Sequence, residues 1–453
     1  MVRKRVFLMD TNKKKMGVVQ LTIITTVNML GSGIIMLPSK MAQVGTMSIL
    51  SWIVTLGGSL CLAWGFSRAA MFSKREAGMG GYAAYAFGES GSFMTNYTYG
   101  LSLLIANVAI AVSAVSYLTV FLGIHLSPVV AAIWAAIIII ITTVANFGGA
   151  NITGKIGSIT VWGVILPVAV LAVLGWFWFH PSIYVHSWNP HGYGFFKGLG
   201  ISIPITLWAF LGLESASVNM DSVDDPKKNV PIACLGGTIL AGVIYIASTN
   251  VMAGIVHNHA LLTSDAPFGL TFAMMWGHIA GKIVELLMVI ACIGSLLGWQ
   301  FTIAQVFKSS ADEGYFPKIF SKATKNDAPI IGMVILMVIQ VLLSMMTASP
   351  NLNTQFNILV NLAVVTNLVP YVLSMAAVNV IQVAGGISSK SRVYKVTTVI
   401  VLLAEIYSLY AMYECGSQAM VLGSLVTFAG WVFYSFISKK FDLNADKAYN
   451  VKH

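Results

Sequence analysis

The sequence predicts an all-α polytopic membrane protein of twelve transmembrane helices, and three observations carry that prediction. Hydrophobic residues make up 57% of the 453-residue chain and charged residues only 9%, against about 25% charged in a soluble domain; the mean hydropathy is +0.81. Apolar runs near the length that crosses a bilayer recur along the chain. Lysine and arginine fall almost entirely on alternate connecting segments.

In order, the apolar runs centre on 17–44, 47–70, 92–122, 128–146, 156–179, 197–220, 230–256, 280–307, 330–348, 355–382, 393–413 and 418–438; they are called spans 1 to 12. An even count puts both termini on one face. With that face cytoplasmic, Arg3, Lys4, Arg5 and Lys13 to Lys15 lie inside, as do Arg68, Lys74, Arg75, Lys155, Lys227 and Lys228. The basic residues of 308–325, 390–395 and the C-terminus follow, leaving outside only Lys40, Lys197 and Lys282 of the 26 lysines and arginines. The net charge of +10 therefore reads as topology and not as a nucleic-acid surface. Residues 1–16 and 439–453 are expected as cytoplasmic tails. The basic start, MVRKRVFLMDTNKKKMG, has no apolar core and does not read as a cleaved signal peptide.

The four cysteines are far apart in sequence and mostly inside apolar runs, so free thiols are expected. The outer loops collect His125, His180, His186, His191, His257, His259 and His278. Two readings are open: a face responsive to mild acid, or neutral imidazoles placed at an interface. The HNH at 257–259 lacks the i,i+4 spacing of a helical metal pair, so no metal site is expected, and no cofactor.

Two spans are interrupted. Span 1 carries Gly31-Ser32-Gly33 within NMLGSGIIMLP. Span 6 carries Gly212 two residues before a carboxylate, Glu214, within TLWAFLGLESAS. If the first ten spans form two sets of five, these breaks occupy matching positions. Matching breaks in two halves point to a transporter's binding site, because backbone freed at membrane depth is tolerated only beside a cavity or ligand. Small residues also serve helix packing, but a carboxylate at mid-span is costly and functional by default. No lysine or arginine of spans 1, 3 or 6 lies near mid-depth to pair with it, so a cationic ligand is the expected compensation.

GSGI in span 1, FLGLESA in span 6, DDPKKNVPIA after it, DEGYFP after span 8, VANFGGANITG and LLGWQFTIAQVFKSS together resemble the amino acid–polyamine–organocation transporter superfamily, and within it the basic amino acid/polyamine antiporters. The likeness runs from about Met16 to Lys440. It implies a LeuT-like fold, a five-plus-five inverted repeat with broken helices 1 and 6: spans 1–5 (17–180), spans 6–10 (197–382), and spans 11 and 12 (393–438) outside the core, often at a homodimer interface. It implies a bacterial inner membrane protein that exchanges a diamine, putrescine, for its precursor amino acid, ornithine. A cytosolic ornithine decarboxylase would be its functional partner. Lysine/cadaverine exchange, arginine/agmatine exchange and proton-coupled symport are the alternatives. Proton-coupled relatives carry a lysine midway along span 5, and GSITVWGVILP here has none.

The resemblance also assigns roles. Trp208 would lie over the substrate as a gate, Trp299 beside the pocket, and Asn107 of span 3 would face it. A structural hydrogen bond is the competing reading of Asn107. Indole faces attract ammonium groups, Glu214 would take one of them, and carbonyls at the breaks would take another. Ser32 and the Gly33 N–H would hold an amino acid's carboxylate at the start of a half-helix. Lys308 and Tyr315 border the expected cytoplasmic path, where a topological lysine and an interfacial tyrosine are the plainer readings. In GMGGYAAYAFG (78–88), a packing and gating element by resemblance, this chain has Ala84 where the better-known polyamine antiporter has an acid. Glu285 is expected near the outer end and solvated. No HExxH or GxSxG motif is present, so an enzyme is not expected.

Overall fold

The computed structural model describes residues 16–75, 78–215, 223–349 and 351–438, with the backbone but not the side chain of Ser32. The chain is helical almost throughout, as it must be where no water is available to satisfy backbone groups. Span 1 divides into α1 (Val18–Met29) and α2 (Leu37–Met41), joined by a 3-10 turn over Ser32–Ile34. Span 2 is α3 (Ile49–Phe72) and span 3 belongs to α4 (Gly78–Leu122). Gly88 breaks α4 with φ 64° and ψ −157°, a conformation open to glycine and strained for other residues. The glycine–tyrosine segment is thereby a helix of its own in front of the span.

Span 4 is α5 (Pro128–Ala145), and span 5 is built from α6 (Ala150–Thr160) and α7 (Trp162–Leu174). A short α8 (Pro181–His186) precedes α9 (Phe195–Phe210), which stops at the second break. Then come α10 (Pro226–Ile255), two loop helices α11 (Asn258–Leu262) and α12 (Pro267–Trp276), and α13 (His278–Asp312). The chain ends with α14 (Ile330–Met346), α15 (Leu352–Ala384), α16 (Arg392–Glu414) and α17 (Ser417–Ile437). The loop helices α8, α11 and α12 interrupt no apolar run of spanning length, so hydropathy does not mark them.

Among the described residues nine helical segments are long and apolar enough to cross a membrane. Three apolar helices are shorter: α1, α9 and α14. The first two are short because they end at Met29 and Phe210, where the breaks begin.

The core is made by α4 and α13 against each other, with α15 along α4 and α10 between α1 and α3; α16 and α17 pack outside, on α3, α15 and α4. Apolar side chains cover the outer faces of α14, α16 and α17, among them Leu342, Leu402, Leu425, Phe428 and Phe436, as a lipid-facing surface requires. All four cysteines are free, three of them buried.

Two charged positions depart from expectation. Lys40 is not in an outer loop: it is buried on α2, 2% exposed, because α2 continues span 1 past the break and beneath the loop that precedes α12. Glu285 is buried and not solvated, paired with Lys282 at 3.1 Å. Lys282 in turn donates to the Val120 and Phe121 carbonyls in the last turn of α4.

Candidate functional site

The two breaks face each other. Gly212 has φ +105°, so no other residue fits there without strain, and it lets the chain turn so that its Cα passes the Asn28 carbonyl; a Cβ added there would lie 3.5 Å from that oxygen. Gly31 needs to be small for a different reason: a Cβ would meet Ser295 Oγ at 3.3 Å, so span 1 runs close against α13. A Cβ on Gly33 would touch Ala209 and the Trp208 backbone and indole at 3.4–3.8 Å, so span 1 also lies against α9. The Tyr245 hydroxyl sits between the carbonyls of Met29 (2.5 Å) and Ala209 (2.9 Å), the ends of α1 and α9. One phenol on α10 therefore ties the two broken helices together and satisfies backbone that the breaks release.

Glu214 lies just past the second break and is 3% exposed. Its Oε1 accepts from the Tyr99 hydroxyl at 3.2 Å, and its Oε2 accepts from the Tyr371 hydroxyl at 2.5 Å and the Gly212 N–H at 3.1 Å. Donors to a carboxylate contribute about 1.5–3 kcal/mol each, enough to hold a buried carboxyl in one orientation.

This carboxylate faces a cavity walled by both breaks, with Trp208 and Trp299 on its sides and Tyr99, Ser102 and Asn367 as further polar groups. Trp208 is nearly buried and its indole N–H has no partner among the described residues; Phe356 packs edge-on behind it at 6.5 Å. From Asn28, Gly31, Glu214 and Trp299 the space widens into a vestibule of about 1440 Å³ between α6, α7 and α13, reaching Thr153 and Thr302. No lysine, arginine or histidine lines either space among the described residues. Such a chamber, negative at one point and aromatic on two sides, suits an organic cation.

Of the residues expected at the site, the structure brings Gly31, Gly33, Trp208, Gly212, Glu214 and Trp299 together around the cavity. The side chain of Ser32 lies outside the described residues. Asn107 is not on the wall: it is fully buried in α4 with neither amide atom partnered among the described residues, while Ser102, Leu103, Ala106 and Ile110 present the lining face. Helical rotation explains the difference, since Asn107 stands about 100° around the helix from Ala106. Lys308 pairs with Asp327, and Tyr315 with Glu89, beyond the vestibule; neither side chain lines it. Sequence reasoning missed Asn28, Tyr99, Tyr371, Asn367 and Tyr245. Asn28 stood in the first-break motif itself. The partners of the tyrosines lie 115 residues or more away, and no local pattern carries such a pairing, except for Tyr245 with Ala209, 36 apart.

The amino acid permease family model matches residues 16–436. The chain belongs to that family. It is 60% identical over 434 residues, 96% of this chain and 98% of the relative, to the putrescine transporter PotE of Escherichia coli. To the putrescine transporter PotE of Haemophilus influenzae it is 58% identical over 435 residues, 96% and 100% of the two chains. A cadaverine/lysine antiporter of Escherichia coli is 33% identical over 376 residues, 80% of this chain and 83% of the relative. This permease is thus a multi-span membrane transporter for small molecules and not an enzyme.

Proposed function

We propose that this permease exchanges putrescine for ornithine across a bacterial inner membrane by alternating access. The observation that carries the reading is the buried Glu214 carboxylate facing a cavity between two broken helices and two indoles. Similarity to two putrescine transporters over nearly the whole chain supports the diamine. Ammonium groups over indole faces gain about 0.5–2 kcal/mol, and Glu214 supplies the charge. Ornithine and putrescine share the ammonium contacts; only ornithine presents a carboxylate, for which Ser32 and the Gly33 N–H at the first break are the assigned holders. Each cycle then exports one net positive charge, and coupling to a cytosolic ornithine decarboxylase makes the exchange consume acid.

The repeat reading, 17–180 against 197–382, draws support from packing that survives exchange of the halves. The contacts of α1 with α10, of α4 with α15 and of α7 with α10 have counterparts in those of α9 with α3, of α13 with α6 and α7, and of α15 with α3. Counting the two broken spans and α14 with the nine long segments gives twelve spans with both termini cytoplasmic. The vestibule then opens inward, since Thr302 lies on the side of Lys308 and the basic 318–325 segment. The apolar outer face of α17 is the surface for a homodimer contact.

The test is radiolabelled ornithine uptake into liposomes, with and without internal putrescine. Uptake should require internal putrescine and collapse in Glu214→Gln. Equal uptake into empty liposomes under an inward proton gradient would make the protein a symporter and overturn the exchange. Cadaverine and agmatine, added as competitors, rank the diamine length.

A further inference from the structure

Beyond Trp208, on the side away from the vestibule, α2 is fastened to the start of α15 and to the loop before α12. Ser39 Oγ donates to the Ser264 carbonyl at 2.8 Å, and Asn353 Nδ2 reaches the same carbonyl at 3.4 Å. Between them lies the buried Lys40. Its ammonium donates to the Asn353 carbonyl at 2.6 Å and stands 5.8 Å from the centroid of the Phe356 ring. The half-buried Asp265 carboxylate acts on it as a counter-charge. Asn353 Oδ1, more than nine-tenths buried, has no donor among the described residues. Phe356 is the ring that backs Trp208, so this ammonium is one aromatic ring away from the wall of the central cavity.

A buried lysine is expensive, and a structural clamp between α2 and α15 could be made with neutral groups. Chemistry suggests what the charge is for. The lysine side chain is a four-carbon stem ending in a primary ammonium, the same chemical unit as one end of a short diamine. The carbonyl and ring face that meet it, with a carboxylate acting on it from beyond contact, are the partners such an ammonium wants. For any solute to reach Trp208 from this side, α2 must part from α15 and carry Lys40 away, while the other groups stay on α15 and the loop.

We infer that Asn353, Phe356 and Asp265 form an outer ammonium-binding site, filled by Lys40 in the closed state and by a primary alkylammonium when α2 moves off. Lys40 is then a tethered competitor: its return displaces the bound cation toward Trp208 as the outer side shuts. The identity of the ligand as a diamine or cationic amino acid rests on the exchange reading; the site itself does not.

The probe is radiolabelled n-butylammonium, which has one ammonium, measured by equilibrium dialysis on purified full-length protein. A Glu214→Gln background removes the central carboxylate. Adding Lys40→Met should tighten binding about tenfold, and adding Asp265→Asn to that variant should abolish the gain. Lys40→Gln, which keeps a donor for the Asn353 carbonyl, runs in parallel in case the methionine variant does not fold. Unchanged affinity in variants that elute and melt like their parent, or a gain that survives Asp265→Asn, would overturn the proposal. Failure of wild-type exchange in liposomes would overturn the diamine reading and leave this readout intact.

Discussion

In the proposed exchange Trp208 and Glu214 divide the work of holding a cation: one offers a polarisable face, the other a carboxylate held in place by Tyr99, Tyr371 and the Gly212 N–H. Trp208→Leu should raise the apparent KM for the diamine about 3- to 30-fold, the equivalent of a cation–π contact, and Trp208→Phe should recover most of it. Transport kinetics in liposomes check this, and equal KM values for the leucine and phenylalanine variants would remove the ring from the site. At the C-terminal end of α13, burial first, then Glu89 and Asp312, raise the Glu313 carboxyl above its ordinary value of 4.5. A carboxyl raised on folding binds its proton more tightly in the native state, so stability is lost as pH climbs through that raised value. Glu313→Gln should therefore melt higher than the wild type at pH 7 to 8, with the gain vanishing toward pH 4, as thermal melting across pH will show.

At the scale of the helix, the glycines of the two breaks are not equivalent. Gly212 is bound to its positive φ, and Gly212→Ala should cost about 1–3 kcal/mol and remove transport with it. At Gly31 a Cβ would meet Ser295 Oγ at 3.3 Å and the Asn28 carbonyl at 3.8 Å, a fit that a shift of a few tenths of an ångström relieves. Gly31→Ala should melt within a degree or two of the wild type, by less than about 0.5 kcal/mol, and mainly alter KM. Comparing melting temperature and uptake for the pair separates a backbone requirement from a space requirement. Both breaks were legible in the sequence because glycines at mid-span violate helix propensity, and the second adds a carboxylate that membrane energetics does not otherwise tolerate. The Gly88 break in α4 was not read as one, since a glycine between Phe87 and Glu89, in a segment with several other glycines, gives no sign of its φ. The rotation of α4 that turns Asn107 away and Ser102 inward was hidden as well: in a helix apolar all round, periodicity marks no face.

On the scale of the whole molecule, the vestibule beside α6 and α13 and the fastened α2 describe one arrangement, open on one side and shut on the other. Thr302→Cys, on the vestibule wall, should react with a membrane-impermeant maleimide in inside-out vesicles and not in intact cells, and saturating putrescine should slow the reaction. Labelling in intact cells would reverse the orientation.

The sequence by itself determined the membrane class, the places of the apolar spans, the two breaks and the carboxylate among them. Each of these is a one-dimensional property: a run length, a composition bias, a residue that its neighbours cannot excuse. Only the tertiary structure decided which groups meet that carboxylate. Tyr99 and Tyr371 come to Glu214 from 115 and 157 residues away, Tyr245 joins Met29 to Ala209, and Lys40 finds Asn353 across 313 residues. A hydroxyl or ammonium in an apolar interior must find its partner wherever packing brings one within about 3 Å, and that meeting is set by how helices stack, which no local stretch of sequence encodes.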